Sequence, residues 1–213
     1  DLGLDPIENL TEVIEQSGIY IFYCDFAEAH IDGVSLQTDN CPPCIFLNKN
    51  QPNDRIRFTL AHELGHLVLH KFAPSIDMET EANEFAAEFL VPTEAIKGQL
   101  RTTNLKTYAA NKLAWKVSMA ALIVKAKHIA DISDRQSATL WRQMSMYGYR
   151  KVEPYPLERE CPNRFAQLML EFCQKDKKQI LNDLPLMFNL YPEDFCQLYK
   201  ADMEALEKIT MVS

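Results

Sequence analysis

Residues 62–66 read His62-Glu63-Leu64-Gly65-His66, and this stretch decides how the rest of the chain is interpreted. Histidines four positions apart lie on the same face of an α-helix, one turn from each other. Two neutral imidazoles on one face can bind a zinc ion, and the neighbouring carboxylate of Glu63 can take a proton from water. The stretch therefore predicts a zinc site with His62 and His66 as ligands and Glu63 as catalytic base. The alternative is a histidine pair on an ordinary surface helix.

The chain around this motif predicts two consecutive helices. The first is expected to run from about Asp54 to Phe72, because Pro74 then forces a turn. The second is expected to begin near Asp77, a residue suited to cap a helix, and to stop before Pro92. A third metal ligand is sought among the glutamates of this second helix.

Helical periodicity of about 100° per residue separates those glutamates into two groups. Three share one stripe and are predicted to face solvent, namely Glu81, Glu84 and Glu88. The opposite side holds Asn83 and residues predicted to be core, namely Ala82, Phe85, Ala86, Phe89 and Leu90. Glu79 lies on the inward side, where a carboxylate in an apolar layer is costly unless a cation neutralises it. Glu79 is therefore the predicted third ligand, and two histidines with one glutamate leave a fourth position open for water, as catalytic zinc sites do.

Two further side chains are expected near the metal. Asn83, one turn after Glu79, is predicted to form a hydrogen bond with a metal-binding histidine and to fix its tautomer. The alternative for Asn83 is a buried side chain that caps a backbone group. His70 lies one turn beyond His66 on the same side, where it can contact substrate or polarise the scissile carbonyl. A histidine without a functional role explains His70 equally well.

These residues carry a family resemblance. The stretch 55–66, the stretch 79–87 and the closing Leu90-Val91-Pro92 resemble the ImmA/IrrE family of metallo-endopeptidases. The likeness extends more weakly from about Leu10 to Pro156, and Val91 stands where many relatives have methionine. The resemblance implies a zinc-dependent endopeptidase-like domain of bacteria or their mobile elements, whose usual targets are helix-turn-helix repressors. Residues 115–122 are similar to a helix-turn-helix-like stretch that follows the metal site in that family.

The middle of the chain is basic, which raises a second hypothesis. Residues 1–96 carry a net charge of −13, residues 97–151 a net charge of +9 and residues 152–213 a net charge of −4. A helix-turn-helix-like pair is expected at about 104–130, with helices Leu105 to Ala114 and Ser118 to His128 and Ser118 as N-cap. A basic block on such a pair is typical of DNA-binding modules. The residues predicted to contact DNA in that case are Lys116, Ser118, Lys125 and Lys127.

Other residues of the same pair argue against contact with bases. Met119 and Ala120 occupy the positions that should read base edges, and neither has a hydrogen-bond donor. A helical pair that packs on the catalytic part is therefore favoured, with its lysines solvated or bound to the acidic region.

Three short strands are predicted before the motif, after a helix from Ile7 to Gln16. The strands are Ile19 to Tyr23, Gly33 to Leu36 and Cys44 to Leu47. The expected fold is α+β, with a small three-stranded sheet packed on the active-site helix and a mainly helical C-terminal part. Residues 1–151 are expected to form the metallopeptidase-like domain and residues 152–213 a helical segment. An exposed sheet edge would suit binding of an extended peptide.

Composition limits the setting of the protein. With 213 residues and 47% hydrophobic residues, the chain can bury a core in one or two domains. No apolar run approaches the ~18 residues of a membrane span, and the first residues do not resemble a signal peptide. A cytoplasmic protein without disulfides is expected, with further sequence upstream because the first residue is not methionine. Cys41-Pro42-Pro43-Cys44 is interpreted as a tight turn before a strand rather than a metal or redox motif.

The sequence thus predicts a zinc-dependent endopeptidase that cleaves a regulatory protein, a helix-turn-helix repressor by the resemblance. Zinc lowers the pKa of a bound water to about 7, far below that of bulk water. Glu63 takes a proton from that water and later delivers it to the leaving amine. The alternative is a zinc- or ligand-sensing transcriptional regulator that cleaves nothing and binds DNA through the basic middle block. The presence of Glu63 favours the endopeptidase, because a site that only holds zinc has no need of it.

Overall fold

The chain has an α+β fold in which one three-stranded sheet is combined with helices, as the sequence predicted. The computed structural model describes residues 3–26, 30–38, 41–70 and 76–173. Within these ranges the strands are β1 (Tyr20–Cys24), β2 (Gly33–Thr38) and β3 (Cys41–Asn48). The helices are α1 (Leu10–Gln16), α2 (Asn53–Leu69), α3 (Met78–Leu90), α4 (Thr93–Ile96), α5 (Leu105–Trp115), α6 (Met119–His128), α7 (Asp134–Met146) and α8 (Arg164–Cys173).

The chain divides into two compact units. One unit comprises Asp1–Glu8 and Gln51–Arg159, and the other comprises Asn9–Asn50 and Glu160–Ser213. The first unit contains α2 to α7, and the second contains the sheet with α1 and α8. No helix among the described residues is both long and apolar enough to cross a bilayer.

In the second unit, β3 is the central strand of the sheet. It pairs with β1 in parallel and with β2 in antiparallel fashion. The side chains of Ile21, Ile45 and Leu47 are buried, while Val34 and Leu36 on the edge strand β2 are exposed. The alternation of hydrophobic residues therefore predicted all three strands. The predicted starts of β1 and β2 lie within one residue of the observed starts.

The predicted tight turn at 41–44 is wrong, because β3 already begins at Cys41. Both prolines lie before Cys44, the first residue of β3 that pairs with β1. Proline has no N–H to donate and is tolerated where one side of a strand is not paired. The prolines therefore do not interrupt the extended backbone.

In the first unit, α2 and α3 pack side by side around a glycine. A Cβ atom on Gly65 would lie 3.1 Å from Phe85 Cδ1 and 3.2 Å from Ala82 Cα. Glycine is thus the residue that lets the two helices approach this closely. The described part of α2 ends at Leu69, short of the predicted Phe72, and residues 71–75 lie outside the described ranges.

The helical pair predicted at about 104–130 is formed by α5 and α6. Lys116 between the two helices has a left-handed backbone with φ of 53°. Ser118 is the N-cap of α6 as predicted, because its side chain accepts a hydrogen bond from Ala121 N at 3.0 Å. Met119, at the first position of α6, is fully buried.

Candidate metal centre and active site

The two motif histidines of α2 meet at one point. The Nε2 atoms of His62 and His66 are 3.0 Å apart, and their rings are roughly perpendicular with centroids 4.7 Å apart. This contact follows from the four-residue spacing, which places one ring above the other along the helix.

Glu79 at the start of α3 completes a three-atom cluster with these histidines. Its carboxylate oxygens lie 3.4 Å from His62 Nε2 and 3.4 Å from His66 Nε2. Ligands bound at about 2.0–2.2 Å to a tetrahedral zinc ion are separated by about 3.3–3.6 Å. The observed separations are close to that range, and two imidazoles with one carboxylate are a donor set that zinc accepts. The residues present therefore fit a zinc ion.

The carboxylate of Glu79 is open to solvent, contrary to the sequence argument that chose it. Its side chain is 79% exposed, whereas the side chains of His62 and His66 are mostly buried. Phe85 and Phe89, predicted as core, are only half-buried, and their rings stack on each other. The predicted apolar layer around Glu79 is thus wrong, and the cluster opens toward water on the Glu79 side.

Asn83 contacts His62 as predicted. The distance from Asn83 Oδ1 to His62 Nδ1 is 3.1 Å. The amide oxygen can only accept, so His62 Nδ1–H donates, and Nε2 keeps its lone pair for a metal. Asn83 is exposed, which excludes the alternative of a buried residue that caps the backbone.

His70 is placed behind His66 rather than in the open cluster. Its Nδ1 lies 3.0 Å from His66 Nδ1, and its Nε2 lies 2.9 Å from Glu81 Oε2. The side chain of His70 is only 6% exposed. Glu81 is therefore not a simple solvent-facing residue, and that prediction is wrong. The sequence signal for this contact was the repeat of histidine at 62, 66 and 70, which continues one helix face.

The other two glutamates of the predicted solvent stripe differ from each other. Glu84 is exposed. Glu88 pairs with Lys125 of α6 and accepts hydrogen bonds from Thr93. Burial alone would raise the pKa of Glu88, but the hydrogen bonds from Lys125 and Thr93 outweigh burial and lower it. Glu88 thus connects α3 to α6 rather than facing only solvent.

Glu63 lies on α2 directly after His62. Its side chain is almost buried, and its carboxylate has no hydrogen-bond or ion-pair partner among the residues that the structure describes. A carboxylate without an internal partner keeps its lone pairs for a proton, as a general base requires.

The residues predicted to contact DNA all have partners within their own unit. Lys116 pairs with Glu8, Lys125 with Glu88, and Lys127 with Asp134, while Ser118 caps α6. The hydrogen bond from Lys116 lowers the pKa of the Glu8 carboxyl. The first amides of α6 are also covered, because the carboxylate of Glu153 accepts from Met119 N at 2.8 Å and from Ala120 N at 3.0 Å. These contacts favour a pair that is packed into the unit.

A cavity of about 1280 Å³ extends through the same unit from a point close to the metal cluster. At the cluster end it is lined by Phe58, one turn before His62, and by Asn83. At the far end it is lined by Val124 of α6 and Trp141 of α7. The cavity therefore extends from Asn83, which contacts His62, to residues of α6 and α7.

The arrangement agrees with the comparison with known families. The family model described as the IrrE N-terminal-like domain, of peptidase family M78, matches residues 14–127, which is more than half of the chain. That range includes the HExxH stretch, Glu79 and Asn83. No curated protein matches the chain. Because the family match covers more than half of the chain, the chain belongs to the IrrE N-terminal-like family of metallopeptidase domains, as the ImmA/IrrE resemblance predicted.

Proposed function

We propose that this protein is a zinc-dependent endopeptidase that cleaves a regulatory protein, with a helix-turn-helix repressor as the substrate that the family resemblance implies. One observation carries the proposal: His62, His66 and Glu79 converge with separations of 3.0–3.4 Å, and the carboxylate of Glu63 follows His62 on the same helix. A protein that only stores zinc needs the first three residues and not Glu63.

The chemistry divides between the metal and the side chains. Zinc, when held by His62, His66 and Glu79, supplies a Lewis acid that makes water acidic enough to lose a proton near neutral pH. Glu63 takes that proton and later gives it to the amine of the leaving chain, the role of a general base and then a general acid. Asn83 holds the ring of His62 in the orientation that presents Nε2 to the metal.

The size of the cavity supports a polypeptide substrate. At about 1280 Å³ it exceeds the roughly 300–1,000 Å³ of small-molecule sites. Its apolar residues, such as Phe58, Ala87 and Val124, suit an apolar stretch of a polypeptide chain. Its lining includes Asn83, which contacts His62, so a segment bound in the cavity would lie near the metal cluster. This argues against the alternative of a regulator that senses a small ligand.

The test is cleavage of a purified helix-turn-helix repressor encoded next to this protein, with the zinc-loaded wild type beside Glu63→Gln. We expect the wild type to cut the repressor at one or a few peptide bonds, identified by mass spectrometry. Glu63→Gln should bind zinc with unchanged stoichiometry and cut at least about 100-fold more slowly, because general-base catalysis contributes about 10²–10⁴-fold. Cleavage by Glu63→Gln at the wild-type rate would contradict the role of Glu63. A fully metallated wild type that leaves the repressor intact would contradict the substrate.

A further inference from the structure

A chain of hydrogen bonds runs from the metal cluster into the protein through His70. His66 Nδ1 contacts His70 Nδ1 at 3.0 Å, and His70 Nε2 contacts Glu81 Oε2 at 2.9 Å. The three residues come from the motif turn of α2, the end of α2 and the first turn of α3. Both ring nitrogens of His70 are engaged in this chain, so neither is directed to a substrate.

The carboxylate at the end fixes the direction of every hydrogen bond in the chain. An ionised Glu81 can only accept, so His70 Nε2 must carry the hydrogen and donate it. A neutral His70 then has a bare Nδ1, which accepts from His66 Nδ1–H. His66 is left with its lone pair on Nε2, the atom that lies 3.4 Å from Glu79 Oε1. The polarity of the chain thus prepares His66 as a metal ligand.

Burial differs between the two partners of the histidine ligands. The side chain of His70 is 6% exposed, whereas Asn83, the partner of His62, is exposed. A hydrogen bond shielded from water is stronger than an exposed one, because the local dielectric constant is lower. The bond between His66 and His70 should therefore fix its ligand more firmly than the bond between His62 and Asn83.

We infer that His70 and Glu81 are positioning residues that hold His66 in the tautomer that zinc binding requires. The inference rests on the proposed zinc site but not on the identity of the substrate. It replaces both sequence-based interpretations of His70, as a substrate contact and as a histidine without a role.

The first measurement is the tautomer of His70 in the zinc-loaded protein, read from two-bond ¹H–¹⁵N spectra of ¹⁵N-histidine-labelled protein. We expect the hydrogen of His70 on Nε2 and none on Nδ1. Glu81→Ala should abolish this preference, whereas Glu81→Gln should preserve it, because the amide oxygen still accepts. Glu84→Ala, on the same helix and exposed, is the matched control and should leave the spectrum unchanged. A hydrogen on His70 Nδ1 in the wild type would overturn the inference.

The second measurement is the zinc dissociation constant, obtained by competition with a chromophoric chelator. His70→Phe keeps an aromatic ring but removes both nitrogens, and it should weaken zinc binding about 10–100-fold. Glu81→Ala should weaken zinc binding less, because His70 still offers Nδ1 to His66. Since Glu81 is half-exposed, this variant keeps the test valid if His70→Phe does not fold. A folded His70→Phe protein that binds zinc with wild-type affinity would overturn the inference. Neither measurement depends on cleavage, so a failure of the proposed function would be seen separately.

Discussion

Asn83 gives His62 a hydrogen-bond acceptor on the ring nitrogen that does not approach Glu79. Without that acceptor the ring can rotate and exchange tautomers, and part of the zinc-binding energy is then needed to order it. The contact is exposed, so its loss should change metal binding without removing any packing from the core.

We therefore predict that Asn83→Ala folds normally and binds zinc about 10–100-fold more weakly than the wild type.

Glu79→Ala removes a proposed ligand, so this variant should lose most of its zinc during dialysis. The same is expected of His62→Ala and His66→Ala. Zinc dissociation constants and metal content by mass spectrometry check both expectations, with Glu84→Ala as the control. A fully metallated Glu79→Ala protein would refute the third-ligand assignment, and an unchanged Asn83→Ala would refute the orienting role.

Helical periodicity explains which residues of the site could be predicted from the sequence and which could not. It gives the angle of each side chain around an axis, and from these angles His62, His66, Glu79 and Asn83 were predicted at the site, although the apolar layer expected around Glu79 was wrong. It does not give the positions along two neighbouring helices at which they contact each other. The contact between His70 and Glu81 depends on where the end of α2 meets the first turn of α3, and no single-helix pattern contains that information.

At the scale of the helices, the proposed metal centre depends on the distance between α2 and α3. Two of the proposed ligands come from α2 and the third from α3, so the cluster requires both axes to be held in place. Gly65 lies where the two helices approach closely: a Cβ atom added there would lie 3.2 Å from the nearest backbone atom of α3, Ala82 Cα. A side chain there must displace α3, because a backbone atom cannot turn aside as the ring of Phe85 can.

We predict that Gly65→Ala weakens zinc binding although alanine favours helix. Alanine in a helix interior stabilises the helix by about 1 kcal/mol relative to glycine. Overpacking of a helix contact costs about 1–3 kcal/mol and moves Glu79 relative to both histidines. The zinc dissociation constant and the thermal midpoint of the metal-free protein should be measured together, with Gly65→Ser as a larger step of the same kind. A more stable Gly65→Ala protein with wild-type zinc affinity would contradict the close approach.

Over the whole molecule, the distribution of charge along the sequence predicted less about the structure than the sequence motifs did. The block of net charge +9 at residues 97–151 contains Lys112, whose side chain is buried between Asp54 and Glu153. A count of charges along the chain treats such a residue as free surface charge, because it does not show which acidic residues fold against the block. The α+β fold and its three strands could be predicted, since they depend on local patterns, whereas the pairing of these charges is a tertiary property.

The same pairing sets the expectation for nucleic acid. A protein gains affinity for DNA when its cations replace counterions at the phosphates, and cations already paired with carboxylates contribute little. Lys116 and Lys127 are paired with Glu8 and Asp134, and the first amides of α6 are covered by Glu153. With a net charge of −8 for the chain, we predict no measurable affinity for a mixed-sequence DNA duplex even at about 50 mM salt.

Fluorescence anisotropy of a labelled duplex tests this prediction. The comparison variant is Lys116→Glu/Lys127→Glu, and Lys125 is left in place because its side chain is nearly buried. Wild-type binding that weakens with salt and disappears in that variant would show that α5 and α6 contact DNA. The regulator hypothesis would then regain its support, and the ion pairs would have to open when DNA binds.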